Sequence, residues 1–279
     1  MITDTSAITA GVTLGALQVQ SLLDAVDNRI LLCHALALSR VSLITQSERA
    51  LDHGEAQRYA ALVRRRLDGE PIAYIIGQRE FFGLPFEVSS AVLIPRPDTE
   101  LLVELTLDRL PPQGRVLDMG TGSGAIAVAL AHTRRDADVT ALDVSADALA
   151  VARRNAAVNG ARVTFLQSDW YTALDGQPRF DVIASNPPYI ASGDRHLSEG
   201  DLRYEPAGAL TDHADGLSAL RIIIAGARQR LKPQGWLLME HGYDQSAAVR
   251  ELLTVQGYTD VQSWTDLAGI ERVTGARAH

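Results

Sequence analysis

Two hydrophobic textures follow one another along this chain, and the change falls near residue 75. Upstream, apolar residues recur at helical spacing. "QVQSLLDAVDNRILLCHALAL" sets Leu22, Val26, Ile30 and His34 on one stripe. "SERALDHGEAQRYAALVRRRLDGEP" opens on a serine in a capping position with a glutamate close behind, and closes on Gly-Glu-Pro. These patterns predict a small helical domain over residues 1–75. Over 76–94, within "AYIIGQREFFGLPFEVSS", the pattern becomes extended and rich in turn residues, as in a β-hairpin that links two domains. From residue 95 to 279 strand and helix periods alternate. The spacing predicts helix at 98–110, strand at "RVLDMG", helix at 123–132, strand at "DVTALD", helix at 145–159, then strands "RVTFLQ" and "FDVIASN". After a long polar loop come helix 216–231, strand "GWLLMEH", helix 244–256 and the terminal strands "TDVQSWTD" and "GIERVTGAR". Such alternation specifies an α/β fold, a mostly parallel sheet with helices on both faces. The last two strands, joined by a short loop, are expected to pair antiparallel. No internal repeat or low-complexity segment is visible.

Composition narrows the class. A length of 279 residues suits one large domain plus a small one, and 46% apolar with 22% charged residues is ordinary for a water-soluble protein. No apolar run approaches the ~20 residues of a membrane span. The first residues carry no basic stretch ahead of an apolar core, so no secretory signal is read there and the cytoplasm is the expected location. The single cysteine, Cys33, cannot close an internal disulfide and lacks metal-ligand spacing; it is expected to be a buried helix residue, with no metal. A formal charge of −8 argues against sequence-independent nucleic-acid binding, which relies on cationic patches. The run Arg64 to Arg66 falls where cations favour the end of a helix dipole and reads as a solvated helix terminus. No membrane partner is expected, and the chain is expected to be a monomer.

In an open parallel sheet, ligands bind beyond the carboxyl ends of the strands, where strand order reverses. "LDMGTGSGAIAVAL" runs strand, glycine loop, helix there. Gly120, Gly122 and Gly124 allow close backbone approach and a sharp turn, and imply a nucleotide-type cofactor. The spacing is G-x-G-x-G, with Ala125 where the dinucleotide fingerprint needs its third glycine. Asp143 ends the next strand, placed either to accept both hydroxyls of a ribose or to cap the helix starting near Ser145. After the third strand, "SDWY" offers Asp169 for an exocyclic amine of adenine and Trp170 for its ring, although Trp170 also suits a core. Together these residues resemble the class I methyltransferases that use S-adenosylmethionine. That resemblance implies a seven-stranded sheet with an antiparallel edge, and it places "SNPPYI" over the methyl donor. Pro187 and Pro188 stiffen this loop, leaving the side-chain oxygen of Asn186 and the carbonyl of Pro187 as fixed acceptors. Two acceptors suit a planar NH₂ group: they hold both hydrogens and stabilise the positive charge that grows on nitrogen during attack. Tyr189 would stack on the planar group. Adenine, cytosine, guanine and the glutamine side chain all carry such a group, so the motif alone does not choose.

The wider sequence does. "EPIAYIIGQREFFGLPFEVSSAVLIPRPDTELLVE", "SNPPYI" and "DLRYEPAGAL" closely resemble the protein-(glutamine-N5) methyltransferases, which modify the Gly-Gly-Gln loop of bacterial peptide chain release factors. The resemblance implies S-adenosylmethionine as cofactor, a release factor as protein substrate, and a helical substrate-recognition domain joined by a hairpin to the catalytic domain. Carried onto this sequence, it implies that Gly120, Thr121, Gly122, Ser123, Gly124, Asp143 and Trp170 bind the cofactor. Asn186 would touch cofactor and substrate, and Pro187, Pro188 and Tyr189 would frame the glutamine. Arg96 and Pro97 would line the cofactor side, and Glu205 and Pro206 the substrate loop. Asp98 agrees with the acidic residue expected there. Glu240 and His241, at a strand end, read as polar groups satisfied by neighbouring backbone, because the chemistry needs no base. Three other readings remain open: a glutamine methyltransferase acting on a ribosomal protein, an amino methyltransferase acting on nucleic acid, and a non-catalytic docking protein. A nicotinamide oxidoreductase is disfavoured by the glycine spacing.

Overall fold

The computed structural model describes residues 4–279, and it separates into a helical unit ending at Gly77 and an α/β unit beginning at Gln78. The helical unit holds α1 (Leu14–Val19), α2 (Ala25–Leu36), α3 (Arg40–Thr45), α4 (His53–Leu67) and α5 (Ile72–Ile76). Leu14, Leu17, Leu31, Leu32, Leu43 and Tyr59 close its core. The expected stripe of α2 is not its buried face. Leu22 precedes the helix, Val26 is 53% exposed and His34 is exposed, while Asn28, Leu31, Leu32 and Leu36 point inward. Apolar residues lie on several sides of this helix, so spacing alone does not select a side. Buried Asn28 helps decide it: its Nδ2 donates to the Leu17 carbonyl at 2.9 Å, and its Oδ1 accepts from the Tyr59 hydroxyl. The cap of α4 also differs from expectation. It is Asp52, which accepts from the Glu55 amide at 2.8 Å while Glu55 accepts from the Asp52 amide at 3.0 Å, a reciprocal capping box. Cys33 lies in α2 but is only partly buried. Arg64 and Arg65 are exposed at the end of α4, and Arg66 pairs with Asp27 at 2.6 Å.

The second unit runs β1 (Gln78–Phe81), β2 (Leu84–Glu87), α6 (Glu100–Arg109), β3 (Arg115–Met119), α7 (Ala125–Thr133), β4 (Asp138–Asp143), α8 (Ala146–Val158), β5 (Val163–Gln167) and β6 (Phe180–Ser185). It continues through α9 (Ala207–Leu210), α10 (Ser218–Arg230), β7 (Leu231–Glu240), α11 (Ser246–Val255), β8 (Thr259–Thr265) and β9 (Glu271–Arg277). Seven strands form one sheet in the order β5-β4-β3-β6-β7-β9-β8. The first five named in that order pair in parallel, whereas β9 pairs antiparallel with β7 and with β8. This is the expected α/β sheet with an antiparallel edge. Alternate residues feed two apolar layers: Val116, Val182, Ala184 and Leu238 on one face, Leu117, Met119, Ile183 and Leu237 on the other. Strand β7 begins earlier than its apolar run suggests, because Leu231 already pairs with Phe180 ahead of a bulge in which Gln234 has φ +65°.

The hairpin β1–β2 packs into this unit. Its two-residue turn, Phe82-Gly83, has φ of +52° and +72°, as a tight hairpin requires. Phe81 and Phe86 lie in the core at 6.0 Å, edge to face. Asn155 of α8 grips β2, its Oδ1 accepting from the Glu87 amide at 2.7 Å and its Nδ2 donating to the Glu87 carbonyl at 3.0 Å. The same Nδ2 reaches the Ser123 carbonyl at 2.8 Å, so one buried amide ties the hairpin to the glycine loop.

Candidate active site

Strand β3 has β4 on one side and β6 on the other, so the chain beyond its carboxyl end enters the crevice where strand order reverses. There the backbone turns through Gly120, Gly122 and Gly124 at φ of +74°, +54° and +83°. Amides of Gly120 and Thr121 both donate to the Leu142 carbonyl, at 2.9 and 2.8 Å, and the Thr121 hydroxyl donates to Asp118 at 2.6 Å. The glycines divide the work. A Cβ on Gly124 would lie 3.0 Å from that of Ala152, so this residue lets α7 close on α8. A Cβ on Gly120 or Gly122 would meet nothing within 4 Å, so these two border open volume.

That volume is a cavity of about 320 Å³. The loop from Gly120 to Ser123 lines it together with Asp143, Asp169 and Trp170; Asn186, Pro187 and Pro188 line it further on, as do Phe81, Val92, Arg96, Thr99 and Pro206. Of the residues expected at the site, Gly124, Tyr189, Pro97 and Glu205 stand outside the lining. Asp143 does not cap α8; Ser145 does, accepting from the Ala148 amide at 3.1 Å. Instead Asp143 accepts from the amides of Gly122 at 2.8 Å and Ser145 at 2.9 Å, and thereby holds the glycine loop against β4. Each carboxylate oxygen has a second lone pair, which leaves room for a vicinal diol. Burial raises the pKa of Asp143, and the backbone amides oppose that rise. Asp169 is exposed, while Trp170 is part-buried and sits at φ +49°, a costly conformation for a bulky residue. The Ser168 hydroxyl steadies this turn by donating to the Trp170 carbonyl at 2.7 Å.

The Asn186–Tyr189 loop leaves β6 at Ser185, whose hydroxyl is tied to the Met119 carbonyl at 2.7 Å. Asn186 donates through Nδ2 to the Thr99 hydroxyl at 3.1 Å. Among the described residues, none donates a hydrogen bond to Asn186 Oδ1 or to the Pro187 carbonyl. Gln245 Nε2 clamps the loop from beyond, donating to the Tyr189 carbonyl at 3.0 Å and the Gly216 carbonyl at 3.1 Å. The Tyr189 hydroxyl donates to Glu240 Oε1 at 3.2 Å, and burial together with that carboxylate keeps the phenol protonated.

Glu240 and His241 part company. His241 is buried, with Nδ1 on the Gly242 carbonyl at 2.9 Å and Nε2 on the Thr274 hydroxyl at 2.8 Å; burial lowers its pKa and keeps it neutral. Glu240 is not satisfied by backbone as expected: its partner is the Tyr189 phenol, and Oε2 has no hydrogen bond among the described residues. Sequence reading also missed Thr99, which lines the cavity, and Asp118, Asn155 and Gln245, which touch the loops around it. A partial signal existed for Asp118, an acid set between the apolar residues Leu117 and Met119 of β3. Arg96 and Glu205, assigned to different sides of the site, are salt-bridged, and the fully buried Glu205 also accepts from the Ile94 amide at 2.9 Å.

Burial raises Asp118 to about 7, against the hydrogen bonds from Thr121 and Ala127. Between its ordinary value and about 7 the folded chain holds a proton that the unfolded chain has released, so this group makes stability fall as pH climbs through that window and level off above it. Asp118→Asn lacks this penalty. Its stability relative to wild type is expected to improve by a few kcal/mol from pH 4 to 8, as urea unfolding across a pH series would measure.

Comparison with known proteins agrees with this geometry. Residues 97–200 match the model of the methyltransferase small domain, and residues 17–77 match that of the PrmC N-terminal domain. A release factor glutamine methyltransferase of Burkholderia pseudomallei is 57% identical over 263 residues, covering 91% of this chain and 92% of the relative. The chain belongs to the release factor glutamine methyltransferase family. Another member of that family, from Neisseria gonorrhoeae, is 51% identical over 91% of this chain and 93% of its own length. Among solved structures, a methyltransferase from Pyrococcus furiosus shares the fold, with a TM-score of 0.53 at 21% identity over 77% of this chain and 96% of that one. Membership makes this chain a protein glutamine methyltransferase. The open volume beside Gly120 and Gly122, with a part-buried carboxylate next to it and an aromatic at the rim, fits an adenosine-bearing cofactor of this enzyme class. No helix among the described residues is long and apolar enough to cross a membrane.

Proposed function

We propose that this protein transfers a methyl group from S-adenosylmethionine to the side-chain amide nitrogen of the glutamine in the Gly-Gly-Gln loop of peptide chain release factors. The observation that carries this reading is the pair of acceptors, Asn186 Oδ1 and the Pro187 carbonyl, on adjacent cavity-lining residues of a proline-stiffened loop that no described residue occupies. An amide NH₂ has two donors to match them. The cofactor supplies an electrophilic methyl on a sulfonium. Asp143 would hold its ribose, Asp169 and Trp170 its adenine, and Gly120 to Ser123 would border it closely. As the amide nitrogen pyramidalises it loses resonance and gains positive charge, which Asn186 and Pro187 stabilise. Its proton becomes acidic only after transfer, so buried His241 and protonated Tyr189 need not act as bases.

In this reading residues 1–75 form the substrate-recognition domain, the hairpin segment 76–94 leads into the catalytic domain 95–279, and the monomer works in the cytoplasm without contacting nucleic acid. The test is mass spectrometry of a purified bacterial release factor incubated with the protein and S-adenosylmethionine, with the added mass located by peptide fragmentation. One methyl on the glutamine of the Gly-Gly-Gln loop is expected. Methyl transfer to a ribosomal protein or RNA instead would refute the choice of substrate.

A further inference from the structure

Glu240 ends β7, beside the loop that carries Asn186 and Tyr189. It is 2% exposed, and its Oε2 has no hydrogen-bond partner among the described residues. Keeping a carboxyl in such a place is costly, which makes its neighbours informative. Oε1 accepts from the Tyr189 hydroxyl at 3.2 Å. The Thr99 side chain lies beside the same carboxyl, short of a formed hydrogen bond, and Thr99 Oγ1 accepts from Asn186 Nδ2 at 3.1 Å. A hydroxyl that has accepted one hydrogen bond still has one proton to give, and the Glu240 carboxyl is the acceptor beside it.

We propose that Glu240 is a positioning residue for methyl transfer: acting through Thr99 it fixes which way round the Asn186 amide sits, and it holds Tyr189 directly. The inference rests on the reading of Asn186 Oδ1 as an acceptor for the substrate amide. The oxygen and nitrogen ends of an asparagine amide have nearly the same shape, so only the direction of its hydrogen bonds decides the orientation. Burial pushes the Glu240 carboxyl up to about 7, and above that pH the carboxylate offers acceptors alone. The Thr99 proton is therefore drawn toward Glu240, Thr99 faces Asn186 with its lone pairs, and Oδ1 is left for the cavity. Were the order reversed, the Asn186 NH₂ would confront the NH₂ of the substrate, donor against donor. A glutamine at 240 permits that reversal, because its own NH₂ can donate to Thr99. This explains why an acid of no use as a base occupies the strand end.

Three variants of the full chain test the idea: Thr99→Val, Thr99→Ser and Glu240→Gln. The first readout needs no cofactor or substrate. In wild type, NMR of the side-chain amides should show one Asn186 Nδ2 proton hydrogen-bonded and slow to exchange; that signature should vanish in Thr99→Val, change in Glu240→Gln and persist in Thr99→Ser. The second is single-turnover transfer to purified release factor at saturating S-adenosylmethionine. Above pH 7, Thr99→Val and Glu240→Gln are expected to be slower by about tenfold or more, and Thr99→Ser close to wild type; cofactor affinity should change far less than the rate and no variant should lose stability, while Glu240→Gln, which removes a buried carboxyl, should unfold at a higher midpoint at neutral pH. A Thr99→Val enzyme with wild-type rate and an unaltered Asn186 signal would overturn the proposal. So would rate losses matched by equal losses of stability and cofactor affinity, or a Thr99→Ser enzyme as slow as Thr99→Val. If wild type itself transfers nothing while the Asn186 signal responds as expected, the substrate reading fails and the orienting chain through Thr99 stands.

Discussion

Asn186→Ala is expected to lower the single-turnover rate of glutamine methylation by a factor of about 10² or more, with a far smaller effect on folding and on cofactor affinity. The side chain is only part-buried, and its single described hydrogen bond, 3.1 Å to Thr99, is within the ordinary range, so its loss removes little packing. What it does remove is an acceptor built into a stiff loop. Pro187 and Pro188 restrict the backbone, Ser185 is tied to Met119, and Gln245 clamps the Tyr189 carbonyl. Such an acceptor needs no reorganisation as charge appears on the attacking nitrogen, and its contribution is therefore larger in the transition state than in the bound substrate. The expected signature is a fall in rate at saturating substrate, measured by rapid quench, with cofactor titration and thermal unfolding near wild type. A near-normal rate would remove Asn186 from the chemistry. An equal loss of cofactor affinity would instead make it a cofactor contact.

Strand and helix periods made the sheet legible. Apolar runs such as "FDVIASN" and "GWLLMEH" locate β6 and the buried part of β7, and the short connection before "GIERVTGAR" foretells the antiparallel pair β8–β9. The cofactor motifs were legible for a related reason: glycine and proline act locally, through backbone conformation, and leave a mark on adjacent residues. The missing parts act at long range. Asn155 joins Glu87 and Ser123, Glu205 joins Ile94 and Arg96, and Thr99 meets Asn186, over separations that no local pattern encodes. In α2 the difficulty was one of degree, since a helix with apolar residues on several sides gives spacing no purchase, and a buried hydrogen-bonded asparagine marks the inner face. Glu240 illustrates the same point at the site. Its sequence context says strand end, and only its contact with Tyr189 says what it serves.

Asp143→Ala is expected to weaken binding of S-adenosylmethionine by about 10² or more, and Asp143→Asn by less. Two losses combine in the alanine variant. The first is direct: each charge-assisted hydrogen bond to a ribose hydroxyl is worth about 1.5–3 kcal/mol, so two of them correspond to at least 10² in affinity. The second is indirect, because Asp143 also takes the amides of Gly122 at 2.8 Å and Ser145 at 2.9 Å. Without it the Gly122 amide loses its partner, and a loop whose positive φ values depend on being held in place gains alternatives. Asparagine separates these effects, since its Oδ1 can keep one of the two amide contacts while the charge is lost. Calorimetric titration of both variants measures the difference, and the protection of the Gly122 amide from hydrogen exchange reports the loop by itself. An alanine variant that binds cofactor as tightly as wild type would remove the ribose role and leave Asp143 as a backbone tether alone. Loss of affinity with the Gly122 amide still protected would assign the whole effect to the hydroxyls.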